Sequence, residues 1–171
     1  MDLSLVSSEK WFQRLPLEQR ELLHQSLYLL EDMENHPRQF FDYSFVIMPA
    51  AKAYEGFIKD SLLHLGLISE RLYRGTRFRV GKSLNSELDK IPRYKQEALY
   101  QELVELFGDK TVAEKMWQTW KRCRNRTFHY FTKKRKTVTL DMAQDRVEQI
   151  LDTIKMVLTH PRYRFRADTN S

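Results

Sequence analysis

With 171 residues, 42% apolar and 30% charged side chains and a formal net charge of +6, the chain has the make-up of one globular domain spanning residues 1–171. No apolar run approaches bilayer-spanning length, and MDLSLVSSEKW lacks the basic-then-apolar order of an export signal, so a cytoplasmic protein without membrane contact is expected. The single cysteine, Cys123, excludes an intramolecular disulfide framework, and one Cys with five scattered His gives no zinc-ligand spacing, so no metal or cofactor is expected.

Ser7 or Ser8 can cap a short helix through Arg14, and Pro16 suits the first position of the next. Leu22, Leu23, Leu27, Leu30 and Met33 then recur at helical spacing until Asn35-His36-Pro37 ends the run. Phe40 to Tyr43 forms an aromatic connection, and Asp42 or Ser44 can cap the helix after it. Phe45 to Leu65 is the most apolar helix, with Pro49 tolerated near its start and Gly66 placed to stop it. Its wide apolar face puts it at the centre, and Gly56 within it suggests another backbone close by.

Arg71 to Asn85 has glycines and little periodicity and is predicted as a loop, with a turn of helix over Ser86 to Ile91. Pro92 opens a predicted helix to Phe107, with Leu99, Leu103, Leu106 and Phe107 inward; Gly108-Asp109 breaks it. Thr111-x-x-Glu114 is a capping-box pattern, opening a helix that carries Val112, Met116, Trp117, Trp120 and Cys123 inward. The last helix starts near Asp141, capped by Thr139 or Asp141, with Met142, Val147, Ile150, Leu151, Ile154, Val157 and Leu158 as its apolar stripe. His160-Pro161 ends it, and 162–171 is predicted to fray. With no strand alternation, repeat or low-complexity linker, the prediction is an all-α bundle of about five helices.

The positive charge is concentrated. Lys121 to Lys136, KRCRNRTFHYFTKKRK, holds eight basic side chains and no acid, and Arg71 to Lys82 holds five and no acid. Such runs favour a polyanionic partner, nucleic acid first. Inside the first lies Arg124-Asn125-x-x-x-His129. Histidine can move protons near neutral pH, an arginine fork can grip phosphate oxygens as charge develops, and an amide can orient one of them. These are the groups RNA cleavage needs without a metal. Five positions along an ideal helix leave Arg124 and His129 roughly 140° apart, so the helix must bend or end within RNRTFH, or a second subunit must help.

The Arg124-Asn125-Arg126-Thr127-Phe128-His129 pattern, followed by a loop and a final amphipathic helix, resembles the HEPN superfamily. Ala53-Tyr54-Glu55-Gly56 is similar to the C-terminal HEPN domain of RNase LS-type toxins. The resemblance implies a HEPN-like bundle and a metal-independent endoribonuclease acting as a toxin or antiviral effector, with Arg124, Asn125 and His129 as the catalytic set. It also implies a homodimer whose two motifs line one cleft, and an antitoxin or other regulatory protein. Arg122 to His129 fits the looser family spacing, so Arg122 is an auxiliary candidate for the active arginine, and Glu55 is a candidate to orient it by a salt bridge. Arg126, Lys133, Lys134, Arg135 and Lys136 are expected to bind RNA phosphates without reading sequence. Tyr130 and Phe131 are expected to pack on the last helix, with base stacking as the alternative. A non-catalytic HEPN-like module that binds nucleic acid or a partner protein is the competing reading. An adaptor for a nucleotidyltransferase, modified at Tyr130, is a third.

Overall fold

The structure, a computed structural model, describes residues 3–88, 91, 98–129 and 137–163. All regular elements among them are helical. The amino-terminal segment departs from its sequence reading. It forms two short helices, α1 (Leu3–Ser8) and α2 (Lys10–Gln13), separated by an extended Glu9. Ser7 and Ser8 therefore lie inside α1, Glu9 takes the cap position of the helix that runs to Arg14, and the Ser7 hydroxyl meets His24 Nε2 at 2.8 Å. Trp11 and Phe12 are buried and start the core.

Helix α3 (Leu17–Asn35) begins one residue after Pro16, which occupies the cap. Its buried face (Leu23, Leu27, Leu30, Met33) lies on α4 (Ser44–His64), the central helix. Asp42 opens α4 by accepting the Ser44 N–H at 2.7 Å, and its other oxygen accepts the Val138 N–H at 3.1 Å. Burial alone would raise the Asp42 carboxyl; hydrogen bonds from Ser44 and Val138 and the charge of Arg146 outweigh it and hold the pKa below its ordinary value. Pro49 interrupts the α4 ladder, and Ser26 of α3 accepts the Ala50 N–H across the interface at 2.9 Å. Gly66, at φ 74°, closes α4 while the Leu67 N–H returns to the Leu62 carbonyl at 2.9 Å. The neighbour of Gly56 is not a backbone: a Cβ there would sit 3.2 Å from the Gln19 side-chain amide of α3.

The predicted loop over Arg71 to Asn85 contains two helical turns, α5 (Glu70–Arg74) and α6 (Val80–Ser83). Ser69 caps α5 by accepting the Leu72 N–H at 3.2 Å, and α6 is held by burial of Val80 and Ser83. Elements this short show no periodicity to read. Asn85 to Leu88 makes a turn, and 89–90 lie outside the described residues, as do 92–97, the start of the helix predicted from Pro92. Its described part, α7 (Tyr100–Phe107), begins after a non-helical Leu99, whose N–H bonds the Ser83 carbonyl at 2.8 Å. Gly108, at φ 85°, ends α7 in the left-handed region.

Helix α8 (Lys110–Thr119) starts from Asp109, which accepts the Thr111 N–H at 2.6 Å. Asp109, extended just after the Gly108 turn, takes the capping place predicted for Thr111. The chain continues through a π-helical segment (Trp120–Asn125) and one last turn, α9 (Arg126–Phe128). Helix α10 (Leu140–Thr159) is capped by Thr139, which accepts the Met142 N–H at 3.2 Å. Met142 stays 38% exposed on the first turn, outside the stripe predicted for it. The tail does not fray at once: Tyr163 is buried, its hydroxyl 3.2 Å from Ser61 Oγ of α4, and 164–171 lie outside the described residues. Five helices reach eight residues among those described (α3, α4, α7, α8 and α10), and α4 and α10 carry the motif segment between them.

Candidate functional site

The helix bearing the motif is anchored on two sides just before it widens. From α4, the buried Tyr54 hydroxyl donates to the Met116 carbonyl at 3.0 Å. From α10, Thr153 meets Thr119 at 2.8 Å, and Gln149 donates to the same Thr119 hydroxyl at 3.0 Å. Trp120 and Cys123 fill the space between. Just past these anchors the turn takes in an extra residue as a π-bulge: the Arg126 N–H reaches back to the Lys121 carbonyl. The helix then ends at Phe128, and His129 leaves it with extended backbone (φ −91°, ψ 126°). The chain thus both widens and stops within RNRTFH, so the separation of an ideal helix does not apply to Arg124 and His129.

The two candidate arginines go opposite ways. Arg122 is taken by α10: it donates to Gln149 at 2.7 Å and pairs with Asp145. Arg124 is taken by α4: its Nε lies 3.4 Å from Glu55 Oε2, and its guanidinium sits over the Trp120 ring, 5.2 Å from the centroid. The Glu55 contact uses the Nε side, and the two terminal nitrogens of Arg124 have no hydrogen-bond partner among the described residues. Its side chain is 39% exposed, so this fork is oriented yet open to a ligand. Asn125 comes next, half-buried, and Arg126 and His129 are exposed. Lys133, Lys134, Arg135, Lys136, Tyr130 and Phe131 lie outside the described residues.

One participant escaped the sequence reading. Arg146 of α10 donates from Nη1 to the Thr127 hydroxyl at 3.2 Å, and Thr127 in turn donates to the Arg122 carbonyl at 2.9 Å. This chain ties α9 to α10 inside the motif. Burial lowers the Arg146 pKa, and its Nε is enclosed without a partner among the described residues. The signal was present: Arg146 falls among Ala143, Val147 and Ile150 on the buried stripe, where an arginine demands partners. Cys123 also sits in the motif, but burial pushes its thiol up to about 12, which leaves it a packing group and not a nucleophile.

Among the described residues no group of three or more His, Cys, Asp or Glu side chains could hold a metal ion, and no helix is long and apolar enough to cross a membrane. No protein-family model matches the chain, and no curated protein or solved structure matches it significantly.

Proposed function

We propose that the chain is a metal-independent endoribonuclease of HEPN type, working as a toxin or antiviral effector through an Arg124/His129 site at a homodimer cleft. The observation that carries this reading is the treatment of Arg124. A guanidinium in the most basic part of the sequence is aimed by Glu55 and Trp120 while its terminal fork stays open, one turn before an exposed histidine at a helix end. In the reaction, an imidazole takes the proton of an RNA 2′-hydroxyl, and the 2′-oxygen attacks the adjacent phosphorus. The bond to the 5′-oxygen breaks, and a second imidazole protonates that leaving group. Two-fold pairing of protomers supplies the second histidine. Arg124 holds the non-bridging oxygens, whose charge grows in the transition state, and Asn125 orients one of them. Arg126 and the cations of 133–136 bind flanking phosphates.

Purified protein with excess EDTA should cut single-stranded RNA to fragments ending in 2′,3′-cyclic phosphate. His129→Ala should abolish cutting while the helical circular-dichroism signal is kept. Equal cutting by that variant refutes the assignment. The competing reading, a module that binds nucleic acid or a partner protein without cutting it, draws on the same salt bridge, since a paired arginine can serve only to hold α4 against the π segment. Salt-dependent RNA binding by the wild type with no cleavage product would select it.

A further inference from the structure

The second acid-free run of the sequence, Arg71 to Lys82, finds its place beside the first. Gly81 of α6 abuts Trp120 so closely that a Cβ there would sit 2.7 Å from the indole nitrogen, and Trp120 is the ring on which Arg124 rests. Lys82, next to Gly81, lines a cavity of about 430 Å³ bounded also by Leu72, Arg77, Phe78, Arg79 and Leu99. Its size falls within the range of small-ligand sites. Its chemistry is two-sided. Three cations and no acid line it, and Leu72, Phe78 and Leu99 give it an apolar wall.

Both exposed arginines lack a carboxylate partner among the described residues. Arg79 donates from one nitrogen, Nη1, to the carbonyls of Thr76 (2.6 Å) and Phe78 (3.3 Å), which shapes the loop and leaves its charge uncompensated. The Leu99 N–H to Ser83 carbonyl bond at 2.8 Å fixes the far wall against α6. A cavity that pairs three cations with an apolar wall including an aromatic ring suits a phosphodiester carrying an unpaired base.

We propose that this cavity is a nucleotide subsite for single-stranded RNA: Phe78, Leu72 and Leu99 take one unpaired base, and Arg77, Arg79 and Lys82 take the phosphates beside it. Gly81 is the residue that lets this subsite lie against Trp120, so one RNA strand spans the cavity and the Arg124 fork. The inference rests on the RNA reading above but does not require that the RNA be cut.

The test uses full-length protein carrying His129→Ala, so that nothing is cleaved, and a fluorescein-labelled single-stranded oligoribonucleotide titrated at several salt concentrations. Arg77→Ala with Arg79→Ala should weaken binding tenfold or more. It should also flatten the slope of log affinity against log salt by about 1.4, the loss of two single-strand phosphate contacts. Phe78→Ala should weaken binding about tenfold at an unchanged slope, the mark of a lost stacking surface. Because Arg79 braces its loop, Arg77→Glu alone provides a second variant free of that role, and it too should weaken binding.

Affinities within twofold of the parent in all of these variants overturn the subsite, whereas RNA cleavage by the His129-intact protein stays a separate result. Equal binding of a free mononucleotide and the oligonucleotide overturns it as well, since the occupant would then be a soluble nucleotide. Cavity-dependent binding with no cleavage by the wild type supports the subsite and sinks the ribonuclease reading alone.

Discussion

Arg122 and Arg124 are two positions apart, and sequence spacing alone admits either as the arginine of the proposed site. Their surroundings separate them. Arg122 is spent on Asp145 and Gln149, an exposed cluster of the kind that contributes at most about 1 kcal/mol to stability. Arg124 is stacked and braced, and its terminal nitrogens have no partner among the described residues. The motif and Glu55 could be picked from residue types because each is polar in a place where polarity is informative. Arg146 could not be picked so easily, because its importance lies in an enclosed Nε and a bond to Thr127, both tertiary facts. Cys123 carries a prediction at this scale. Its burial raises the thiol above the ordinary 9.0 to about 12, so the folded state prefers the protonated form. The stabilisation is complete below about pH 9 and is lost as pH climbs toward 12, because the unfolded chain then binds fewer protons. Urea unfolding should therefore show stability falling between pH 9 and 11 by at most about 1.4 kcal/mol per pH unit from this group. At pH 8 the native thiol should resist a disulfide reagent that labels it at once in urea.

At the scale of elements, the long helices were legible because each repeats an apolar position often enough to show its period; α3, α4 and α10 are the clearest cases. The short ones were not. α6 has four residues, too few to show a period, and it sits against Trp120, some forty positions away in sequence. The π segment was equally hidden. It follows directly on the anchors at Met116 and Thr119, made to α4 and α10, and no local pattern announces it. The Gly81 contact gives this scale its prediction. Gly81→Ala forces a methyl group into the indole of Trp120 and should destabilise the protein by about 1–3 kcal/mol in urea unfolding. Because Gly81 seats α6 against Trp120 beside the proposed subsite, the same variant should weaken RNA binding more than its loss of stability explains. An unchanged unfolding midpoint would contradict the packing.

For the whole molecule, the all-α class and the central place of α4 could be read from the lack of strand alternation and from one unusually apolar helix. The motif's condition, that the helix stop or bend, also has its answer in the fold, since α9 ends at Phe128. The proposed reaction moves two protons, and one chain brings a single motif histidine to it. The proposed cleft requires two copies, so sedimentation at micromolar concentration should give twice the 20.6 kDa chain mass. A strict monomer that nevertheless cuts RNA would oblige another group to serve as the second proton carrier.

The most direct test compares single-turnover cleavage of one labelled RNA, in EDTA, by the wild type, Arg124→Ala and Arg122→Ala. Arg124→Ala should slow cleavage about a hundredfold or more, the usual loss when an oriented donor to a developing charge is removed, while Arg122→Ala should stay within about threefold of wild type. Equal rates in the two variants, or a greater loss from Arg122, would contradict the role proposed for Arg124.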